Sequence, residues 1–199
     1  MTAITAATAC TLSRRAVLKQ AAFLAAGVFF AGAGGLWAGA PAGRGPQPGV
    51  LPLDEDHQMR ISPEDRCPLC AMKVIKYPAF SCAIQLTDGR TFYFCSTGCL
   101  IRAWLHPDYF LGVPADALRR AVVREYFSGE QLDAAALRWV AGSDVVGPMG
   151  PAVVALRDDP RFLEAFQRRH GGSASFRLSE LTDAQWQTLT GRSARPAEP

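Results

Sequence analysis

The sequence predicts an α+β fold: a small mixed domain, or two, built from ββα-type units after an N-terminal signal or anchor helix. Two alternating strand patterns are joined by Asp88-Gly89, a strong hairpin signal, and a helix start follows at Ser96. Short strand-like and helix-like segments then alternate over residues 121–190, too few and too short for a doubly wound sheet. An uncharged apolar run, residues 21–40, precedes these units.

Residues 1–40 have the marks of an export signal: paired arginines, then an apolar run, then small residues. Ser13-Arg14-Arg15 followed by Val17-Leu18-Lys19 resembles a bacterial twin-arginine signal. Because about 20 apolar residues span a membrane, an uncleaved signal would anchor the protein through residues 16–40. The sequence therefore predicts a periplasmic protein, released or membrane-anchored.

The remaining organisation follows from composition. Residues 41–59, rich in proline and glycine, predict a linker. A cysteine-rich ββα lobe is predicted at 60–118, a second α+β lobe at 119–190, and a disordered tail at 191–199. The first 43 residues carry three of the 21 basic residues and no acid, which leaves 18 basic against 18 acidic residues. A near-neutral exported part does not favour nucleic-acid binding.

Five cysteines follow the signal: Cys67, Cys70, Cys82, Cys95 and Cys99. An odd number cannot all pair within one chain, and free thiols in an oxidising compartment need burial, metal or function. Cys82 lies in an alternating strand pattern, Phe80 to Leu86, with one face predicted to be buried. Free cysteine is a small core hydrophobe at such a position, so Cys82 is predicted to pack.

The other four cysteines form two close pairs, Cys67-x-x-Cys70 in a loop and Cys95-x-x-x-Cys99 at a helix start. The hairpin between the pairs returns the chain to its beginning, so we expect the pairs to meet as a tetrahedral thiolate site. Two alternatives remain open. One is a zinc site with four cysteine ligands, and the other is one or two disulfides. Thiol–disulfide exchange is disfavoured, since the segment after Cys70 is strand-like where a thioredoxin-type motif begins a helix.

Two methionines add soft sulfur donors, which suit Cu(I) better than zinc. Met72 lies two residues past Cys70, and Met149 lies on a turn between Pro148 and Gly150. From spacing alone, packing and metal ligation are equally good explanations for Met149. The histidines have plainer explanations: His57 lies in the linker, while His106 and His170 lie at helix ends.

The second half is predicted element by element. Strands are predicted at 121–127, 152–156 and 173–178, and helices at 133–140, 159–170 and 182–190. Asp133 and Asp159 are the predicted N-caps of the first two helices, and Pro160 is the predicted first helical residue. The chain has no glycine-rich phosphate loop and no Ser/His/Asp set, so no enzymatic activity is predicted.

Three stretches together resemble the NosL family: Cys67-x-x-Cys70-x-Met72 with the following strands, the Pro148-Met149-Gly150 turn, and the His170-Gly171-Gly172 segment. NosL proteins are periplasmic Cu(I)-binding accessory proteins of nitrous oxide reductase maturation. The resemblance implies that Cys67, Cys70, Met72 and Met149 are metal ligands. Two features depart from it: no lipid-bearing cysteine follows the signal, and the Cys95–Cys99 segment is similar to the metal-sensing TRASH domain.

The sequence therefore predicts a Cu(I) metallochaperone, not an enzyme, that supplies nitrous oxide reductase or its assembly machinery. Cys67 and Cys70 are the expected main donors, tuned by Met72 and Met149, while Cys95 and Cys99 complete the site or form a neighbouring one. Two alternatives remain: an exported zinc-knuckle domain that binds a partner, and a thiol–disulfide reductase for a copper site. Zinc is the alternative metal.

Overall fold

The computed structural model of the chain describes residues 45–196. The signal or anchor predicted at 1–40 and the last three residues lie outside the described residues. Among residues 45–196, no helix combines the length and the apolar character needed to cross a membrane.

The described chain is a mixture of short helices and small sheets, as predicted. The helices are α1 (Thr97–Leu105), α2 (Pro107–Leu111), α3 (Pro160–His170) and α4 (Asp183–Thr190). The strands are β1 (Cys82–Leu86), β2 (Thr91–Phe94), β3 (Leu118–Arg124), β4 (Gln131–Asp133), β5 (Leu137–Ser143), β6 (Val146–Gly147), β7 (Gly150–Pro151), β8 (Val154–Arg157) and β9 (Gly171–Phe176). Single 3₁₀ turns lie at Val74–Lys76, Ala115–Ala117, Ala134–Ala136 and Leu178–Glu180. The predicted α+β class is confirmed.

The first sheet has the strand order β2-β1-β3-β4, with each neighbouring pair antiparallel. The predicted hairpin joins β1 and β2, and Gly89 adopts the positive φ of 88° that the turn requires. The prediction that β1 buries one face was wrong, because all five of its residues are buried. Its second face is covered: Ala83 pairs with Tyr93, and Tyr93 packs against residues 49–60.

The segment predicted to be a linker packs on the first sheet from Gly49 onwards. The Gly49 amide donates to the Thr91 carbonyl at 2.7 Å, which extends the edge of β2. A Cβ on Gly49 would lie 2.4 Å from the Tyr93 ring, so only glycine lets the backbone approach this closely. Leu53 and Met59 are buried in the core. The prediction of a free linker is therefore corrected for residues 49–59.

The second sheet has the order β8-β5-β9 and is antiparallel throughout. Its central strand corrects the prediction of a helix at 133–140. Asp133 does accept a hydrogen bond from Ala135, but it caps only a 3₁₀ turn. Leu137 and Trp139 pack in the main core while Val140 packs in a second cluster, so both faces of β5 are buried. Tertiary pairing thus overrides the helix propensity of three alanines.

The predicted boundary between two lobes, after residue 118, falls inside β3. This strand pairs with β1, and the change from the first sheet to the second comes after β4. One buried cluster also contains residues of both sheets, among them Ile84 and Trp139. The described tail, predicted to be disordered, packs as well: Ala194 is buried, and its carbonyl accepts from Arg102 Nε at 2.7 Å.

Candidate metal centre

The first cysteine pair lies on a closed loop, residues 66–73, which we call the knuckle. An isolated β-bridge between Arg66 and Lys73 closes it. Inside it, the Cys67 amide donates to the Met72 carbonyl at 2.9 Å, and the Ala71 amide donates to the Cys67 carbonyl at 2.8 Å. Ala71 has a φ of 59°, a left-handed conformation that the tight loop imposes. The knuckle therefore holds Cys67 and Cys70 on one fixed turn.

A buried carboxylate braces the knuckle from its N-terminal side. Asp65 accepts hydrogen bonds from the Val50 amide at 2.8 Å and from the Ser62 amide at 2.6 Å. Its own carbonyl accepts from the Val74 amide at 3.0 Å. Asp65 was not among the predicted site residues. The Ser62-Pro63 turn before it was the available signal, since short polar side chains commonly fix such turns.

The second pair is placed by the end of β2 and the start of α1. Cys95 directly follows β2, and Cys99 lies in the first turn of α1. Ser96 is the N-cap of α1, and its hydroxyl oxygen accepts from the Cys99 amide at 3.2 Å. This cap holds the Cys99 backbone, and therefore its Sγ, at the positive end of the helix. The predicted cap is confirmed.

The two pairs meet. The Sγ atoms of Cys67, Cys70, Cys95 and Cys99 all lie within 4.8 Å of one another. Cys70 and Cys95 are in direct contact, with their Sγ atoms 3.3 Å apart. A tetrahedral metal with bonds of about 2.3 Å to sulfur needs ligand sulfurs about 3.8 Å apart, so the cluster fits one ion with little movement. Four thiolates suit Cu(I) and zinc.

The four sulfurs differ in their access to solvent and in their acidity. Cys67, Cys95 and Cys99 are buried, whereas Cys70 is partly exposed. Hydrogen bonds from the thiols of Cys70, Cys95 and Cys99 hold the pKa of the Cys67 thiol well below its ordinary value. The same thiolate, together with burial, raises the pKa of Cys95 and of Cys99.

Cys82 is buried beside the cluster but takes a different partner. Its Sγ donates to the Ser96 carbonyl at 3.3 Å, and burial raises the pKa of its thiol. Cys82 is not among the four cysteines whose sulfur atoms converge. Its position agrees with the predicted packing role.

The predicted methionine donors lie in two places. Met72 is on the knuckle and packs partly buried against the core. Met149 forms the tip of the β6–β7 hairpin, is 37% exposed, and lines a cavity that Cys99 also lines. Met72 therefore shares the knuckle with Cys67 and Cys70, and Met149 shares a cavity wall with Cys99.

None of the three histidines belongs to the four-cysteine cluster. His57 lies on an exposed turn with a φ of 62°. His106 ends α1, as predicted, and its Nε2 contacts Asp183 at 2.9 Å. His170 ends α3, also as predicted, and lies between Asp144 at 2.8 Å and the Tyr126 hydroxyl at 3.0 Å.

Comparison with known proteins identifies the family. The family model of NosL matches residues 58–186, which include the knuckle, both cysteine pairs and the Met149 hairpin. The chain belongs to the NosL family. No curated protein matches it by sequence. Among solved structures, the crystal structure of the copper chaperone NosL from Shewanella denitrificans matches with a TM-score of 0.55 and 22% identity. The match covers 68% of this chain and 100% of that one. At this identity, the likeness establishes a shared NosL fold.

Proposed function

We propose that this NosL-family protein is a metallochaperone that binds Cu(I) at the four-cysteine centre and delivers it to a copper protein. The observation that carries the proposal is the convergence of four Sγ atoms within 4.8 Å. Thiolates are soft donors, which Cu(I) prefers, and the solved relative with this fold is a copper chaperone. A binding and delivery role needs no catalytic residues.

The uneven burial of the cluster suggests how the ion leaves. Three sulfurs are buried and hold the ion away from water and oxidants, while Cys70 lies nearer the surface. A ligand from the acceptor protein would therefore replace Cys70 first. Ligand exchange then proceeds with the ion always bound, so free Cu(I) is never released. Met72, on the same turn as Cys70, is the donor best placed to keep coordination during this exchange.

The client and the location extend the proposal. We infer that the client is nitrous oxide reductase or its assembly machinery, because that is the system the NosL family serves. We also infer a periplasmic site of action, reached through the twin-arginine-like signal, with residues 16–40 as a membrane attachment where the signal is retained.

A structural zinc centre is the second candidate. The specific observation in its favour is that the donor set is complete with four cysteines, as in structural zinc sites. Such a site would join the knuckle to α1 and would not exchange its ion. The two candidates predict different metals and different consequences of removing them.

Chelator competition tests the choice. The purified, reduced protein is titrated with Cu(I) against a Cu(I) chelator, and separately with zinc. We expect replacement of any one cluster cysteine by alanine to weaken Cu(I) binding by about tenfold or more, because a sulfur donor is lost. Cys82→Ala is the matched control, and we expect it to bind as the parent does. Retention of zinc alone, with unfolding on its removal, would instead establish the structural zinc centre.

The methionines are tested in the same way. Met72→Leu and Met149→Leu preserve size and apolar character but remove the thioether. We expect each to leave the fold intact and to weaken Cu(I) binding less than a cysteine replacement does. An unchanged Cu(I) affinity in either variant would remove that methionine from the ligand set.

A further inference from the structure

A cavity of about 390 Å³ lies beside the metal centre. Its walls come from four parts of the chain: the first half of α1 with its cap, the end of β5, the β6–β7 hairpin with the residues after it, and α4 with the tail that follows. A cavity of this volume has room for a small molecule.

The cavity is cationic. Arg102 and Arg192 line it, and no aspartate or glutamate is among the described residues that do. Arg102 Nε donates to the Ala194 carbonyl at 2.7 Å, and Arg192 Nη1 donates to the Met149 carbonyl at 3.1 Å. Within residues 45–196 neither guanidinium forms a salt bridge. The Arg102 guanidinium lies over the Phe110 ring, with Cζ 5.0 Å from the ring centroid, and each arginine retains further N–H donors.

The start of α1 is a further feature of the wall that favours an anion. The first N–H groups of α1 have no partner within the helix, and the helix dipole places partial positive charge there. Trp186 is 4% exposed and lines the same cavity, and its Nε1 has no hydrogen-bond partner among the described residues. This nitrogen is itself buried, so it is an unpaired donor behind the wall and not a contact for a ligand in the cavity.

The same cavity also holds soft sulfur donors. It is lined by Cys99, a member of the four-cysteine centre, and by Met149. The wall therefore combines two cationic side chains that suit carboxylates with two sulfur-bearing residues, of which Cys99 is buried and Met149 is exposed. A bare cation would be repelled by the two guanidiniums, whereas a negatively charged complex of the metal would be attracted.

We propose that the cavity is the loading site for Cu(I) carried as an anionic, carboxylate-bearing thiolate complex of low molecular weight. The inference rests on the proposed Cu(I) function and adds the form in which the ion arrives. Arg102 and Arg192 bind the carboxylates, and Met149 and Cys99 face the metal. The bond from Cu(I) to the carrier thiolate breaks as a bond to Cys99 Sγ forms. The Cys99 proton passes to the departing carrier thiolate, and the metal stays Cu(I) throughout.

Loading kinetics test the proposal. The metal-free, reduced protein is mixed with Cu(I)–glutathione, an anionic carboxylate-bearing probe, and separately with Cu(I)–acetonitrile, a cationic one. Bound Cu(I) is followed by its thiolate-to-metal absorption. We expect Arg102→Gln/Arg192→Gln to slow loading from Cu(I)–glutathione by at least about tenfold, since both charges that steer the anion are lost. Loading from Cu(I)–acetonitrile should be unchanged or faster.

Control variants separate a cavity effect from a general one. Arg119→Gln/Arg169→Gln removes the same charge from exposed positions outside the cavity and should load as the parent does. Arg102→Lys keeps the cation and should restore most of the rate. Arg192 is exposed, so Arg192→Gln alone keeps the test available where the double variant does not fold. Equal slowing with both copper sources, or slowing in the control pair, would overturn the inference. Failure of the parent to bind Cu(I) from acetonitrile would instead overturn the proposed function itself.

Discussion

Ala71 shows how a single backbone conformation shapes the centre. It lies between Cys70 and Met72 with a φ of 59°, which side chains with a Cβ rarely adopt. In this conformation the Ala71 amide donates a hydrogen bond to the Cys67 carbonyl, and the chain turns back towards Lys73. The strain is small compared with the binding energy of a metal, so the loop can carry it.

Replacing Ala71 by glycine should relieve this strain. A left-handed alanine costs about 1–2 kcal/mol, and the extra chain entropy of glycine offsets about 0.5–1 kcal/mol of the relief. We expect Ala71→Gly to raise the free energy of unfolding of the metal-free protein by about 0.5–1 kcal/mol in urea denaturation. Ala184→Gly, at an exposed position in α4, is the matched control and should lower it by about 1 kcal/mol. A loss of similar size in both variants would show that Ala71 is not strained.

At the scale of elements, α1 connects the first sheet to the metal centre. Its cap, Ser96, binds the Cys99 amide through its hydroxyl and the Leu100 amide through its carbonyl. The same carbonyl accepts from Cys82. One residue therefore fixes both the start of the helix and the backbone of a cluster cysteine.

Loss of the Ser96 cap should affect stability and metal binding together. We expect Ser96→Ala to lower the free energy of unfolding by about 1 kcal/mol and to weaken Cu(I) binding, since Cys99 is no longer held by its cap. Thr182→Ala removes the equivalent cap of α4, where the hydroxyl accepts from Gln185, and no cluster cysteine lies on α4. It should cost a similar stability in urea denaturation but leave the Cu(I) affinity unchanged in chelator competition. Equal Cu(I) affinities in the two variants would contradict the role given to Ser96.

At the scale of the whole molecule, residues 49–60, which precede the knuckle, are part of the fold. The Tyr93 hydroxyl donates to the Leu51 carbonyl at 3.0 Å and accepts from the Arg60 amide at 3.1 Å. Asp65 binds the same segment through Val50 and lies next to the knuckle. Residues 49–60 therefore connect the first sheet to the four-cysteine cluster. Their loss should destabilise both the sheet and the knuckle.

Tyr93→Phe tests this attachment and has a defined pH dependence. Two hydrogen bonds are lost, so we expect the free energy of unfolding to fall by about 1–3 kcal/mol. Burial raises the pKa of Tyr93, so the folded protein keeps the proton to a higher pH than the unfolded chain, whose tyrosines titrate near about 10. The Tyr93 contribution is therefore complete below pH ~10 and is lost as the pH rises above it. Urea denaturation from pH 8 to 11 should show a steeper loss in the parent than in the variant, and parallel curves would contradict this.

Metal binding should stabilise the whole described domain. The centre joins the knuckle to the start of α1, so an ion that binds only the folded state adds its binding energy to folding. We expect the Tm of the reduced protein to rise with Cu(I) concentration, by about 2.7 kcal/mol of stability at 100 times Kd. Cys67→Ala/Cys99→Ala should show no such rise in thermal unfolding. A rise of equal size in that variant would place the stabilising metal elsewhere.

The sequence predicted the features that are encoded locally. The Asp88-Gly89 hairpin, the Ser96 cap, and the Asp159 cap of α3 with Pro160 after it all appear as expected, because each depends on residues a few positions apart. The meeting of the two cysteine pairs followed from the hairpin between them. The strand at 137–143 was missed, since its alanines favour helix and only pairing with β8 and β9 makes it a strand.

By itself, the sequence determined two local features of the centre: the two cysteine pairs, and the hairpin that returns one pair to the other. The tertiary structure alone decided that Cys70 is the more exposed sulfur, that residues 49–59 pack on the first sheet, and that Arg102 and Arg192 share a cavity with Cys99. The physical reason is distance along the chain. Turns, caps and cysteine pairs depend on near neighbours and leave a pattern, whereas burial and cavity walls depend on residues far apart and leave none.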